Sequence, residues 1–147
     1  MVRPILEYAS VVCDPHHTSN IHPLEMIQHR AARYVTSNYS WRTHVTPLLE
    51  QLQWDTLLER RAKSKVIHLH KIMNNLLEIN NDSEIIKSRN NRLLSIPTNV
   101  DAHRFSFLPS AIRLWNNLDV DTRNCYDHDC FKSLVTSSKI HTFGNII

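Results

Sequence analysis

Asp55-Thr56-Leu57-Leu58-Glu59-Arg60-Arg61-Ala62-Lys63-Ser64-Lys65-Val66-Ile67-His68-Leu69-His70-Lys71-Ile72-Met73 decides the fold class. Thr56-Leu57-Leu58-Glu59 has the form of a capping box, in which a threonine hydroxyl and a glutamate three residues on satisfy two amides that the first turn leaves unbonded. Leu58, Ala62, Val66, Leu69, Met73 and Leu76 then recur at helical spacing, so a long helix is expected from Asp55 or Thr56 to about Ile79. Arg60, Lys63, Lys71 and Asn74 fall on the opposite side, with Arg61 and Lys65 along the border of the apolar stripe, where their stems can cover it.

Upstream, Asp14-Pro15-His16-His17-Thr18-Ser19-Asn20 reads as a turn ending in capping residues. From Ile21 to Thr36 the set Ile21, Leu24, Ile27, Ala31, Tyr34 and Val35 predicts an amphipathic helix, with His29, Arg30 and Arg33 opposite and Pro23 near its start. Thr46-Pro47 suits the cap and first turn of a further short helix through Leu52. At the N-terminus, Ile5, Leu6, Tyr8, Ala9 and Val12 predict a short helix with little polar surface, of the kind packed inside a larger domain. The expectation that follows is that the chain is a fragment and that a protein partner covers this first helix.

Downstream, the asparagine-rich, weakly periodic stretch from Asn80 to Arg92 reads as a connection. His103-Arg104-Phe105-Ser106-Phe107-Leu108 suits a short extended segment, and Pro109-Ser110 opens a compact helix carrying Ala111, Ile112, Leu114, Trp115 and Leu118. A last helix is expected from Asp127 through Lys139, burying Phe131, Leu134 and Val135. Trp115, Phe105 and Phe107 are expected to pin this unit onto the long helix. The reading is a mainly α protein, a small helical bundle of about five to six helices with at most one short extended segment. It divides into a helical segment at 1–79, a flexible linker at 80–102 and a small helical unit at 103–147.

Composition sets the bounds. The 147 residues, 41% of them hydrophobic, suffice for one core. The single glycine, Gly144, removes every glycine-rich phosphate loop, since those need backbone positions without a Cβ, and leaves asparagine as the main residue for left-handed turns. Cys13, Cys125 and Cys130 cannot all pair and no signal-peptide layout is present, which points to a reducing compartment, inside the cell rather than secreted. Apolar runs fall far short of the roughly 18 to 20 residues that span a bilayer, so no membrane partner is expected. The net charge of +3 is too mild to establish a polyanion partner without local clustering.

Four blocks taken in order resemble a known family. They are Arg3-Pro4-Ile5-Leu6-Glu7-Tyr8-Ala9-Ser10; Leu24-Glu25-Met26-Ile27-Gln28-His29-Arg30-Ala31-Ala32-Arg33-Tyr34-Val35; Leu52-Gln53-Trp54-Asp55-Thr56-Leu57-Leu58-Glu59-Arg60-Arg61-Ala62; and Arg104-Phe105-Ser106-Phe107-Leu108-Pro109-Ser110-Ala111-Ile112-Arg113-Leu114-Trp115-Asn116-Asn117-Leu118. Together they look like the region after the polymerase core in reverse transcriptases of non-LTR (LINE-type, jockey-like) retrotransposons. Cys13 stands where that family usually has tryptophan, Asp119 where proline is usual, and the stretch before Thr98 is shorter. The resemblance implies a thumb-end and C-terminal region that helps to hold template RNA and target DNA.

The family's endonuclease and polymerase domains lie upstream of such a region, and the adjacent aspartates that hold two magnesium ions in the polymerase do not occur here. Tyr126-Asp127-His128-Asp129 is the nearest lookalike, but a helix-cap setting does not supply the strand-turn presentation of two-metal chemistry. No catalytic residue and no cofactor is assigned, and the chain is read as non-enzymatic. Arg30, Arg33, Arg60, Lys63 and Lys71 form the candidate phosphate track, with Tyr39 and Trp41 as rings able to stack on unpaired bases. Composition alone favours a plainer reading, a solvated helix face and half-buried aromatic staples. Two zinc sets, Cys13 with His16, His17 and His22, or Cys125 with His128 and Cys130, lack the paired spacing of a closed site. The expected function is thus a non-catalytic reverse-transcriptase fragment with weak, sequence-independent binding of RNA or single-stranded DNA. The alternative is a helical scaffold or protein-interaction module.

Overall fold

The computed structural model describes residues 7–40, 42–77 and 85–138. Within them the chain forms α1 (Thr18–Val35), α2 (Val45–Gln51), α3 (Leu57–Met73), a 3-10 turn at Arg89–Asn91, α4 (Asp101–Arg104), α5 (Phe107–Asn116), α6 (Val120–Arg123) and α7 (His128–Ser137). Five of the seven helices run seven residues or more, and no strand occurs among the described residues, so the protein is a small helical bundle.

The long helix α3 is the axis of the molecule. Its capping box forms as the sequence requires: Thr56 Oγ1 accepts from the Glu59 amide at 3.2 Å, and the Thr56 amide donates to Glu59 Oε2 at 3.3 Å. Ala62, Val66 and Leu69 meet Ala111, Ile112, Leu114 and Trp115 of α5 and Phe131 and Val135 of α7, and together these bury the main core. Trp115 and Phe131 stack with ring centroids 5.5 Å apart. Each such side chain contributes about 1.5 to 3 kcal/mol by leaving water. The α3 stripe ends earlier than its periodicity suggests. Met73 is the last helical residue, and Leu76 is 56% exposed.

The cause is a Schellman ending: Asn75 takes a left-handed φ of 53°, its amide donates to the Ile72 carbonyl at 3.1 Å, and the Leu76 amide donates to Lys71 at 2.9 Å. The same device ends α1 at Ser37 and α2 at Gln53. In a chain with one glycine, residues bearing a Cβ occupy these left-handed positions.

α1 begins at Thr18, earlier than the apolar pattern implied, which leaves Pro23 inside the helix instead of in its first turn. Its buried residues are Gln28 and Ala32, whereas Tyr34, Val35 and Ile27, assigned from periodicity to the core side, are exposed. Of the expected N-terminal helix, Ile5 and Leu6 lie outside the described residues; Ala9 has φ 51°, and Tyr8 and Val12 are exposed.

The stretch expected as an extended segment at 103–108 is helical at both ends, the last turn of α4 and the start of α5. Phe107 packs against the core, but Phe105 instead stacks on the His16 ring at 4.4 Å. The described part of the expected linker is also anchored. Leu93 is buried, its amide and carbonyl both bond the Asn116 side chain at 2.9 Å, and the Asn91 carbonyl accepts from Trp115 Nε1 at 2.8 Å. The last helix starts at His128, with the Asp127 carboxylate capping the Cys130 amide at 2.8 Å, and buries Phe131 and Val135 while Leu134 stays exposed.

Candidate nucleic-acid interface

Four basic residues of α3 have inward partners. Residues 60, 61, 63 and 65 sweep around two turns, and the packing of α3 at the centre of the bundle turns three of them away from water. Arg60 pairs with Glu7, Arg61 with Asp14 at 3.4 Å, Lys63 with Asp55 at 2.7 Å, and Lys65 with Asp14 at 2.7 Å. Lys63, only 7% exposed, also donates to the Thr136 carbonyl at 2.8 Å, tying α3 to the end of α7. Lys65 reaches Ser110 Oγ at 3.3 Å. A buried cation held this way is a structural member: removing its acid leaves an uncompensated charge, which costs several kcal/mol.

Arg33 is likewise occupied. Its guanidinium donates to the Ser40 carbonyl at 2.5 Å and the Thr43 carbonyl at 2.8 Å, clamping the loop that follows α1. Of the seven residues read as a track, Arg30 and Tyr39 are exposed, Lys71 is half-buried, and Arg33, Arg60 and Lys63 are engaged by the protein itself. Trp41 lies outside the described residues. Lys63 therefore does not project from α3 as the helical wheel suggested. Lys71 stands fourteen residues beyond the start of α3, about 21 Å along its axis, far from the end that α1 contacts.

Other residues take roles that spacing did not reveal. The Glu25 carboxylate accepts from the Leu58 amide at 2.9 Å and the Leu57 amide at 3.4 Å, so α1 supplies a second cap to the N-terminus of α3. Gln28 Nε2 donates to the Asp55 carbonyl at 2.8 Å in the same contact. A further concentration of positive charge sits in the loop carrying Lys87, Arg89 and Arg92, all exposed, which rests against α6. The weak periodicity of that stretch concealed it, and only the dense basic residues between 87 and 92 hinted at it.

Asp127, from the lookalike motif, is a helix cap. His70 is buried, donates from Nε2 to the Cys125 carbonyl at 3.1 Å and stacks on Phe131 at 4.1 Å. Burial pushes its imidazole below the ordinary histidine value, against the opposing pull of that carbonyl, and His128, with Nδ1 atoms 3.4 Å apart, adds to the lowering. Among the described residues no three or more histidine, cysteine or acidic side chains are grouped to hold a metal ion. A cleft of about 130 Å³ between the 14–21 segment, α3 and α5 is lined by Ile21, Leu58, Ala62 and Leu114 beside the Asp14–Lys65 pair. Drug-sized ligands occupy roughly 300 Å³ or more.

No helix among the described residues is long and apolar enough to cross a membrane. Compared with known proteins, the chain matches no family model, no curated protein and no solved structure at a significant level.

Proposed function

We propose that this chain is a non-catalytic remnant of a retrotransposon reverse transcriptase, a helical module that contacts RNA or single-stranded DNA weakly and without sequence preference. The observation that carries the reading is the cationic surface left after α3's inward pairs are set aside. Arg30 on α1 and Lys87, Arg89 and Arg92 on one loop are exposed, with Lys71 half-buried and the Tyr39 ring 68% exposed. Surface cations of this kind bind phosphates by releasing counterions, and each contact on a single strand steepens the salt dependence by about 0.7 in the log–log slope. An exposed ring such as Tyr39 adds stacking on an unpaired base.

The test is fluorescence anisotropy of a labelled single-stranded RNA across a salt series. Wild-type protein is expected to bind with an affinity that falls steeply with salt, and the R89E/R92E and R30E variants to bind more weakly with shallower slopes. Binding that is absent at low salt, or indifferent to these reversals, would sink the reading. Arg60 and Lys63 are unsuitable probes because their loss disturbs the fold.

A second reading, a protein-interaction module, is favoured by one observation: Ile27, Tyr34 and Val35 share one side of α1 at helical spacing, and all three are exposed. Absence of RNA binding, together with oligomerisation in sedimentation experiments that Y34S/V35S abolishes, would favour it.

A further inference from the structure

Arg123 ends α6 and is 5% exposed, yet its Nε and Nη1 have no hydrogen-bond partner among the described residues. Covered guanidinium donors left without acceptors are an expensive arrangement, because their desolvation is not repaid by bonds. Its surroundings add to the positive charge. The Lys87–Leu93 loop closes on itself through a β-bridge between Lys87 and Leu93 and a bond from the Ser88 amide to the Arg92 carbonyl at 2.6 Å. Its tip is fixed against α6 by the Asn91 side chain, which donates from Nδ2 to Asn124 Oδ1 at 2.8 Å. Lys87, Arg89 and Arg92 all belong to this one tight loop, in which Asn90 and Asn91 are both left-handed.

We propose that this loop and the end of α6 form a seat for a phosphate dianion, held between the Arg123 and Arg92 guanidiniums, with Lys87 and Arg89 adding to the attracting field. Burial first, and then the positive charge of Arg92, press the Arg123 guanidinium below the ordinary arginine range, and Asp119 only partly offsets them. An oxyanion answers both causes at once: it supplies acceptors for the orphaned donors and charge to separate the two cations. Two guanidiniums close enough for the charge of one to act on the other suit the dianion of a phosphate monoester or of free phosphate better than the single charge of a diester. The seat goes beyond the nucleic-acid reading, which requires only surface charge.

The site reports on itself, since Trp115 Nε1 donates to the Asn91 carbonyl in the loop. Inorganic phosphate replaces chloride at constant ionic strength, at about pH 8.5 where both free phosphate and a monoester are almost wholly dianionic, and the 15N-resolved Trp115 indole and the amides of 87–93 and 122–124 are followed. Saturable shifts confined to these groups are expected. Arg123→Gln and Arg92→Gln should each weaken the binding by about tenfold or more, while Lys132→Gln, at an exposed position on α7, leaves it unchanged. Arg92 is exposed, so its variant serves even if Arg123→Gln alters the fold. A nucleoside 5′-monophosphate is the second probe: comparable binding identifies a phosphate carried on a larger molecule, and binding of inorganic phosphate alone identifies the free anion. Shifts that do not saturate, that spread over the protein, or that persist in both variants would overturn the proposal.

Discussion

α3 is packed mainly by apolar surface toward α5 and α7 and mainly by polar groups toward α1. On the first side Val66 and Leu69 meet Trp115, Phe131 and Val135, all nearly or fully buried. On the second, Glu25 caps the α3 amides, Gln28 bonds the Asp55 carbonyl, and Asp14 faces Arg61 and Lys65, with Ala32, Leu48, Leu49 and Leu57 as the main apolar filling of that end. Burial of apolar area is indifferent to direction and tolerates small shifts, whereas the polar contacts demand particular atoms at particular distances. The two ends of the molecule should therefore fail in different ways.

The comparison breaks most visibly at Trp115. Trp115→Ala should lose about 3 to 5 kcal/mol in urea unfolding, through the cavity it leaves and the lost bond to Asn91. Tyr34→Ala, on an α1 ring 73% exposed, should move stability by no more than about 0.5 kcal/mol. Equal losses would refute the division.

Asp14→Asn tests the polar side. It leaves two covered cations, Arg61 and Lys65, without their acid and should destabilise by about 3 kcal/mol. Adding Lys65→Met should recover part of that loss, and a neutral Asp14→Asn would show that the pairs contribute no more than surface ones.

His70 distinguishes the apolar side by pH. Its folded-state affinity for a proton is lowered, chiefly by burial, so the unfolded chain takes up more protons. Stability from this group is complete above the unfolded value near 6.5 and declines as pH falls below it. Urea midpoints measured from neutral pH downward should fall through that range, and His70→Gln should flatten the decline. A midpoint that rises on acidification would contradict the assignment.

Smaller effects sharpen the account of the helix ends. Glu25→Gln should lose about 0.5 to 1 kcal/mol, since a carboxylate facing the α3 N-terminus is favoured by the positive end of the helix dipole. Gln53→Gly should gain about 0.5 to 1 kcal/mol, because the left-handed position after α2 is unfavourable for a residue with a Cβ. Melting temperatures of both variants decide these two.

The capping box at Thr56, the apolar set at 62, 66 and 69, the helix start at Asp127 and the buried Trp115 were legible in the sequence, because each depends on neighbours within a turn or on a strong local period. The orientation of α1 was not. Periodicity assigned Tyr34 and Val35 to its inner side, but Glu25 and Gln28 turn another side toward α3 through bonds to backbone groups that lie 27 to 33 residues away. The end of α3 before Asn75 was also hidden, since the usual glycine signal is missing, whereas the ends expected at Thr36 and Leu52 fall one residue beyond the last residues of α1 and α2.

The candidate track illustrates the same limit. A helical wheel gives Lys63 an outward face, yet Asp55 and the carbonyl of Thr136, the latter 73 residues distant in the chain, hold it inside. Arg123 carried no sequence signal at all, and its burial, with Nε and Nη1 unbonded among the described residues, arises only in the folded chain.

The sequence by itself determined the longer helices, the start signals at Thr56 and Asp127 and the apolar core that joins α3 to α5 and α7, because propensity, capping and periodicity act over a few residues. Only the tertiary structure decided which charges face water. A cation's partner is chosen by distance in space, and pairs such as Asp14 with Arg61 form after the helices have docked.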